Sequence, residues 1–306
     1  MIQTKRQGQW QVFIVPGEWS GKTIEQLFKD IWGTPKKLTH QFRMEKRVKL
    51  NHSPAEWTLP LKLGDRLSVN FFENLEDEVV PNYMEIEVLY EDDHLLVVNK
   101  PAGMDTHAND SVQTNALLNG VAFYLQSNGQ STWVRHIHRL DRDTSGAILF
   151  AKHPLVGAVL DRMLEQRLIK RTYLALVQGI VKTKKGTIQA PIGRDRHHAT
   201  RRRVSPTGQE AITRYQLLER FHSTKTSLVK CWLETGRTHQ IRVHFSHIGY
   251  PLLGDTLYGG ENSVARQALH AAKLEFVHPF TNERIICFAS FHDNPPIFPE
   301  LDYEGI

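Results

Sequence analysis

The sequence predicts an α+β fold, with a mixed, largely antiparallel sheet in its larger part and a small α/β unit at its N-terminus. Two observations point to this class. Segments with strand character outnumber segments with helical periodicity, and neighbouring strands are often joined by short hairpin turns. A doubly wound sheet would alternate strands with helices along the chain, so we expect a sheet built mainly from hairpins.

Residues 1–72 are expected to form the small unit. The alternating segment Trp10–Val15 stops at Pro16-Gly17, which is typical of a short strand. Apolar residues at helical spacing predict one small helix at 24–31 and a second at 36–46. The segment 61–69 then predicts a turn and a closing strand, so the unit contains two helices and at least two strands.

The remaining residues divide into a linker and the larger unit. Residues 73–84 are acidic and contain a breaker at Pro81-Asn82, which indicates a linker, and the unit at 85–306 starts with a hairpin. Periodicity predicts its further elements, with helices at 113–126, 155–169 and 238–248 and strands at 172–177, 215–218 and 228–233. The basic segment 182–203 is predicted as a long loop, and loops of that length are usually functional or disordered.

Composition excludes several classes of protein. The chain has 306 residues, of which 40% are hydrophobic, and this is enough to build real cores. Its two cysteines make neither a disulfide framework nor a metal cage. There is no run of about eighteen apolar residues and no apolar signal segment near Met1, so we expect a soluble, reduced, cytoplasmic protein that does not contact membranes.

Charge is unevenly distributed along the chain. The formal net charge is only +5, but residues 36–49 hold six basic residues against Glu45, and residues 182–203 hold eight against Asp195. Residues 73–93 carry nine acids and no base. Basic blocks separated by an acidic one favour surfaces that face a polyanion, although each run could also be only a solvated face.

The nine residues His138–Gly146 precede an apolar run that is typical of a buried strand. Two aspartates followed by Thr, Ser and Gly favour a turn, which would place Asp141 or Asp143 at the rim of a sheet and open to a ligand. Flanking arginines favour the ionised carboxylate if they come within contact range. The alternative is an aspartate that caps a turn and pairs with a surface arginine.

Four ordered blocks of sequence resemble the RluA-type family of RNA pseudouridine synthases. They are NKPAGM at 99–104, followed by His107, HRLDRDTSG at 138–146, RTYLALVQG at 171–179 and TGRTHQIRVH at 235–244, with LHA at 269–271 and HPFT at 278–281 completing the set. The N-terminal unit, with two small helices and a basic face, resembles a degenerate S4-type RNA-binding module. The blocks span about two thirds of the chain, so the resemblance is far more specific than one motif.

The resemblance implies an active site. Asp141, rather than Asp143, would be the catalytic carboxylate, and Arg242 would pair with it and keep it ionised. Tyr173 would stack on the uracil ring and reach the proton at C5, and Arg139 would fill the gap left by a flipped-out nucleotide. The matched blocks and the basic segment also supply the residues expected to bind substrate, which are Lys100, His107, His138, Ile241, Arg201, Arg202 and Arg203.

Five of the histidines raise the question of a metal site: His136, His138, His239, His244 and His247. We expect no metal, because no carboxylate or thiolate stands at a suitable spacing, and His239 and His244 are poorly aligned on one helix face. No glycine-rich nucleotide motif and no cysteine cluster is present. The sequence therefore predicts an enzyme that needs no cofactor.

The predicted function is the isomerisation of specific uridines to pseudouridine in structured ribosomal or transfer RNA, by a monomeric enzyme. A carboxylate can support this reaction as a nucleophile or by stabilising positive charge at the sugar carbon. Two alternatives remain open. One is a catalytically silent RNA-binding protein on the same scaffold. The other is a carboxylate-dependent glycosidase or nucleosidase, which would need a second catalytic carboxylate and would have no need of a basic surface that binds RNA.

Overall fold

The structure is a computed structural model that describes residues 2–72, 79–108, 110 and 112–299. The N-terminal part consists of β1 (Thr4–Gln7), β2 (Trp10–Ile14), α1 (Ile24–Gln26, continued by a π-helical turn at Leu27–Ile31), α2 (Lys36–Met44), β3 (Val48–Leu50), β4 (Ser53–Pro54) and β5 (Arg66–Asn70). These strands form a five-stranded sheet in the order β1-β2-β5-β3-β4. The expected strands and helices are present, whereas β1, β3 and β4 were missed because they are short and carry no clear alternation.

The larger part follows with β6 (Glu87–Glu91), β7 (Leu95–Lys100), α3 (Leu117–Ser127), β8 (Arg135–His136), β9 (Ser145–Ala151), α4 (Pro154–Glu165), β10 (Lys170–Gln178), β11 (Lys185–Gln189), β12 (Ile192–Arg194), β13 (Arg202–Val204), β14 (Ile212–Phe221), β15 (Thr226–Leu233), α5 (Gln240–His247), β16 (Leu269–Val277) and β17 (Arg284–Phe288). Its main sheet runs β11-β14-β15-β10-β16-β9-β7-β6, with β17 paired to β16 and β8 paired to β9. Only the β9–β16 pairing among the described strands is parallel. The predicted α+β class with a mixed, largely antiparallel sheet is confirmed.

Two expectations about local structure were wrong. The segment 182–203 is not one long loop, because β11 pairs with β14 and the ribbon β12–β13 leaves only residues 195–201 as its tip. The last helix starts at Gln240 rather than near Thr238, because His239 adopts a left-handed backbone conformation. On this helix Arg242 is buried.

The two sheets share one apolar core. Phe71, at the end of β5, stacks on His153 with ring centroids 4.7 Å apart. Phe280, between β16 and β17, stacks on Phe71 with ring centroids 5.2 Å apart. Trp32 and Phe13 of the N-terminal part also contact Phe280, at 5.4 and 6.0 Å. Interlocked aromatic rings of this kind hold two units in one orientation.

The segment predicted as an acidic linker is only partly described, since residues 73–78 lie outside the described residues. Its described end is attached to α3. The Asn82 N–H donates to the Asn119 carbonyl at 3.1 Å, and the Asn119 side chain donates to the Val80 carbonyl at 2.9 Å. Residues 80–82 are therefore held against the larger part of the protein. No helix in the described ranges is long and apolar enough to cross a membrane.

Candidate active site

Asp141 lies in a tight turn that leads into the centre of the large sheet. The Thr144 N–H donates to the Asp141 carbonyl at 3.0 Å, and all seven residues of the following strand β9 are buried. Gly146 has φ +118°, and a Cβ added there would lie 2.3 Å from the Ala271 carbonyl oxygen. Only glycine therefore permits β9 to approach β16 in parallel, and this approach places Asp141 at the rim of the sheet.

A buried arginine joins two carboxylates at this rim. The Arg242 Nη1 donates to Asp141 Oδ2 at 3.1 Å, while its Nε and Nη2 donate to the two oxygens of Asp255 at 2.7 and 2.8 Å. The Asp255 side chain is 1% exposed and the Asp141 side chain is 18% exposed. Asp255 thus fixes the guanidinium plane bidentately, and Arg242 holds Asp141 with one edge open to the solvent.

Arg242 stays charged in this setting. Burial alone would lower the pKa of Arg242, but the Asp255 hydrogen bonds and the charge of Asp141 raise that pKa above its usual value. The set of one cation and two carboxylates therefore carries a net negative charge. Asp141 is the exposed member of this set, and a carboxylate in that place is suited to act on an electron-poor carbon.

Asp141 lines a cleft of about 790 Å³ and also a recess of about 60 Å³. Tyr173, on β10, lines both spaces and is almost fully buried. Burial raises the pKa of Tyr173, and although Arg171 opposes this shift, the phenol remains protonated at neutral pH. Arg139 is exposed and lines both the cleft and the recess. Asp141, Arg242, Tyr173 and Arg139, named from the sequence, are thus brought together.

The other residues expected to bind substrate divide into two groups. Ile241 lines the recess and His138 lines the cleft. Lys100 is 0% exposed and donates to the carbonyls of Pro101, Met104 and Arg142, at 2.6–2.9 Å. Burial lowers the pKa of Lys100 to about 7. These contacts suit a lysine that holds the 101–104 loop against the Asp141 turn, rather than one that reaches a ligand.

His107 and His138 also support the loops around the site. His107 stacks on His136, with centroids 4.7 Å apart and planes 7° from parallel. His138 accepts a hydrogen bond from the Leu149 N–H at 3.3 Å. Burial lowers the pKa of His107, and that of His138 well below its usual range, so His138 is neutral at physiological pH.

The arginine triplet adjoins the site through Tyr258, in a short 3₁₀ turn at Thr256–Tyr258. The Arg202 N–H donates to the Tyr258 hydroxyl at 2.9 Å, and the Arg201 guanidinium lies 5.8 Å from its ring. The side chains of Arg201 and Arg203 are exposed. The Tyr258 hydroxyl also contacts His239 Nδ1 at 2.8 Å, and His239 Nε2 lies 3.9 Å from Asp141 Oδ2.

Asp255, Tyr258 and His239 are site residues that sequence reasoning missed or assigned no role. His239 was considered only as a possible metal ligand. Asp255 and Tyr258 follow Gly254 and precede Gly259-Gly260, so in one sequence they look like ordinary turn residues. Within the described part of the chain, no three His, Cys, Asp or Glu side chains come together as a potential metal site.

The fold built around this mixed sheet is that of the pseudouridine synthase class. The structure superposes on human RNA pseudouridylate synthase domain containing 1 with a TM-score of 0.56 and 26% identity, over 71% of this chain and 86% of that one. It superposes on human RNA pseudouridylate synthase domain containing 4 with a TM-score of 0.55 and 23% identity, over 67% of this chain and 88% of that one. The second likeness concerns the fold alone.

Sequence comparison places the chain within this class. Residues 94–247 match the family model described as RNA pseudouridylate synthase, and residues 12–67 match the model of the RluD ribosomal pseudouridine synthase N-terminal domain. The chain is 46% identical over 292 residues to YhcT of Bacillus subtilis, an uncharacterized RNA pseudouridine synthase, covering 95% of this chain and 92% of the relative. It is 39% identical over 237 residues to ribosomal large subunit pseudouridine synthase D of Pseudomonas aeruginosa, covering 72% and 73%.

The chain therefore belongs to the RNA pseudouridylate synthase family, whose members are isomerases that act on RNA. The resemblance found in the sequence is confirmed, and the match at 12–67 agrees with the expected S4-like N-terminal unit. Family membership sets aside the glycosidase or nucleosidase alternative. The expected monomeric state, the absence of a metal and the cytoplasmic location stay predictions.

Proposed function

We propose that this protein converts specific uridines of structured RNA to pseudouridine, with Asp141 as the catalytic carboxylate and without a cofactor. One observation carries the proposal. Asp141 is held at 3.1 Å by Arg242, which Asp255 orients from behind, and its free edge faces a cleft lined by Tyr173. Every chemical role that the reaction needs can be filled by one of these side chains.

The reaction breaks the bond between N1 of uracil and C1′ of the sugar, turns the base, and joins C5 to the same C1′. Asp141 would act at C1′, either by bonding to it or by stabilising its positive charge. Tyr173 would stack on the uracil, and its hydroxyl would assist removal of the C5 proton while N1 gains one. Arg139 would occupy the space left by the extruded nucleotide.

We propose large-subunit ribosomal RNA as the first substrate, and transfer RNA as the second. The Pseudomonas aeruginosa relative is a ribosomal large subunit pseudouridine synthase by name, which supports this order. Residues 1–72 would act as an RNA-binding unit through exposed cations at Lys36, Lys37, Arg43 and Lys46. Arg47 would not contribute, because it is buried, pairs with Glu45 at 2.5 Å and lies over the Phe42 ring.

The test is to incubate the protein with large-subunit ribosomal RNA and transfer RNA transcribed without modification, and to map pseudouridine at single-nucleotide resolution. We expect conversion at a small number of uridines. Asp141→Asn should bind RNA and fold normally while losing at least about three orders of magnitude in turnover. Asp143→Asn is the matched control and should remain active.

Two results would contradict the proposal. If the wild-type protein binds these RNAs but converts no uridine, the silent RNA-binding alternative is correct. If Asp143→Asn is inactive while Asp141→Asn retains turnover, the catalytic carboxylate has been assigned to the wrong aspartate of the turn.

A further inference from the structure

His239 is held in a left-handed backbone conformation, which is uncommon for residues other than glycine. Its φ and ψ are 58° and 22°, in the left-handed region, where a side chain with a Cβ costs about 1–2 kcal/mol. The next residue locks this conformation, because the Gln240 side chain makes four hydrogen bonds, with Thr235, Arg237, Ile212 and Thr213. Strained backbone conformations that several surrounding contacts hold in place are found mainly at functional sites.

The orientation and tautomer of the His239 ring are fixed by Tyr258. The buried Tyr258 hydroxyl accepts the Arg202 N–H at 2.9 Å, so its own hydrogen is free to point at His239 Nδ1, 2.8 Å away. A hydroxyl hydrogen left without an acceptor in this buried place would be costly. Nδ1 is therefore the acceptor, and in the neutral ring the proton is carried by Nε2.

The ring is neutral under physiological conditions. Burial lowers the pKa of His239 below 6.5; the charge of Asp141 opposes this shift and that of Arg242 reinforces it. A neutral imidazole beside Asp141 leaves the carboxylate its negative charge. A protonated ring would instead form an ion pair with it and weaken it as a nucleophile.

The Nε2–H has no partner among the described residues. It lies 3.9 Å from Asp141 Oδ2, which is beyond hydrogen-bonding distance. The His239 side chain is 15% exposed and lines the same recess as Tyr173 and Ile241. A fixed, neutral and unused donor therefore points into the space where the reacting nucleotide would lie, next to the carboxylate.

We propose that His239 is a further catalytic residue, whose Nε2–H donates a hydrogen bond to an oxygen of the uracil as the glycosidic bond breaks; this inference rests on the proposed function. When N1 separates from C1′, the electron pair of that bond stays with the base, and the negative charge spreads over N1, O2 and O4. A donor within 4 Å of the carboxylate that acts at C1′ is within reach of O2, the oxygen nearest the broken bond.

His239 keeps its proton throughout the reaction. After the base turns, C5 bonds to C1′, the C5 proton leaves and N1 gains a proton, so the base is neutral again without any transfer from the imidazole. The contribution of His239 is thus that of an oxyanion-hole donor, whose removal typically lowers turnover by about 100- to 1,000-fold.

Two substitutions at the same position separate the donor from the backbone strain. Asparagine tolerates the left-handed conformation, but its amide reaches only the place of Nδ1, so His239→Asn removes the Nε2–H. Glutamine extends further and brings an N–H close to the place of Nε2. His247→Asn is the control, because His247 is an exposed histidine at the end of the helix that follows His239.

The variants are assayed by single-turnover pseudouridine formation on an unmodified large-subunit ribosomal RNA transcript, beside the wild-type protein and Asp141→Asn. We expect His239→Asn to lose about 100- to 1,000-fold in the catalytic rate at saturating RNA with little change in RNA affinity. His239→Gln should stay within about tenfold of the wild-type rate, and His247→Asn should match the wild type. Thermal melting of each variant shows whether the fold is kept.

Each outcome decides the matter. Equal losses for His239→Asn and His239→Gln would overturn the inference, and lowered melting temperatures would then show that the role of His239 is structural. Full activity of both would overturn it as well, while the proposed function would stand because the wild type converts uridine and Asp141→Asn does not. An inactive wild type would refute the proposed function, and with it this inference.

Discussion

Asp255→Asn tests whether the buried carboxylate controls the active site through Arg242. Asp255 accepts two charge-assisted hydrogen bonds, at 2.7 and 2.8 Å, in a place that is 1% exposed. An amide keeps one acceptor and turns the other into a donor that faces an N–H of Arg242. One charge-assisted hydrogen bond contributes about 1.5–3 kcal/mol, and breaking a buried ion pair costs about 3–5 kcal/mol.

Because one acceptor is kept and Asp141 still neutralises Arg242, we expect the free energy of unfolding to fall by about 2–3 kcal/mol, near the lower ends of these ranges. For a chain of 306 residues this corresponds to a drop in Tm of about 3–5 °C. The guanidinium is then held on one side only, and a displacement of about 1 Å at Asp141 can lower turnover roughly 100-fold. RNA affinity should change little, since Asp255 does not line the cleft.

The assays are denaturant unfolding and single-turnover kinetics, with Glu275→Gln as control. Glu275 pairs with Arg284 at 2.9 Å and with Lys170 at 3.4 Å, outside the cleft and the recess. Its loss should cost no more than about 1 kcal/mol and leave turnover unchanged. Wild-type stability and turnover in Asp255→Asn would refute the reasoning, because Arg242 would then be oriented without its buried partner.

Three further perturbations test other parts of the structure. Tyr173→Phe should bind RNA normally but turn over slowly if the hydroxyl assists loss of the C5 proton. Tyr173→Leu should also lose the stacking on uracil, which is worth about 1–3 kcal/mol. Full turnover of both variants would show that Tyr173 is only a core residue. Replacing Arg201 and Arg203 with glutamine should weaken RNA binding in filter assays. The slope of log affinity against log salt concentration should become shallower by roughly 0.7–0.9 for each phosphate contact that is lost. An unchanged slope would show that the β12–β13 tip is only a solvated face. Burial lowers the pKa of His94 to about 3 and that of His153 well below 6.5. Below pH 6.5 these histidines therefore bind protons in the unfolded chain but not in the folded one, so the free energy of unfolding decreases as the pH falls. The asparagine of His153→Asn can still cap α4. In unfolding experiments between pH 6.5 and 4, this variant should reduce the pH dependence of the free energy of unfolding by up to about 1.4 kcal/mol per pH unit. If the pH dependence is not reduced, His153 does not contribute to it.

The sequence predicted most of what local pattern and short motifs encode. Asp141, Tyr173 and Arg242 line one recess, as the matched blocks implied, and the α+β class followed from strands joined by hairpins. Their catalytic roles stay predictions until turnover is measured. The motif residue Lys100 illustrates the limit, since a motif does not distinguish a buried loop anchor from a ligand contact.

What the sequence could not show depends on long-range contacts. The ribbon β12–β13 was predicted as loop because its strands are only three residues long and basic, and their pairing becomes visible only in three dimensions. Asp255 and Tyr258 acquire their positions from contacts with Arg242 and His239, thirteen and nineteen residues away along the chain. No periodicity or spacing rule indicates such pairs.

The aromatic junction of Phe71, His153 and Phe280 has a consequence for how a substrate is chosen. A unit on a free tether could search for its binding element at a range of distances, and its contribution would depend on linker length. A unit fixed by stacked rings can engage RNA only when two features of that RNA lie at one set separation and orientation. An N-terminal unit that binds RNA would therefore select substrates by distance, and inserting base pairs between those two features would remove a uridine from reach while leaving its immediate sequence intact.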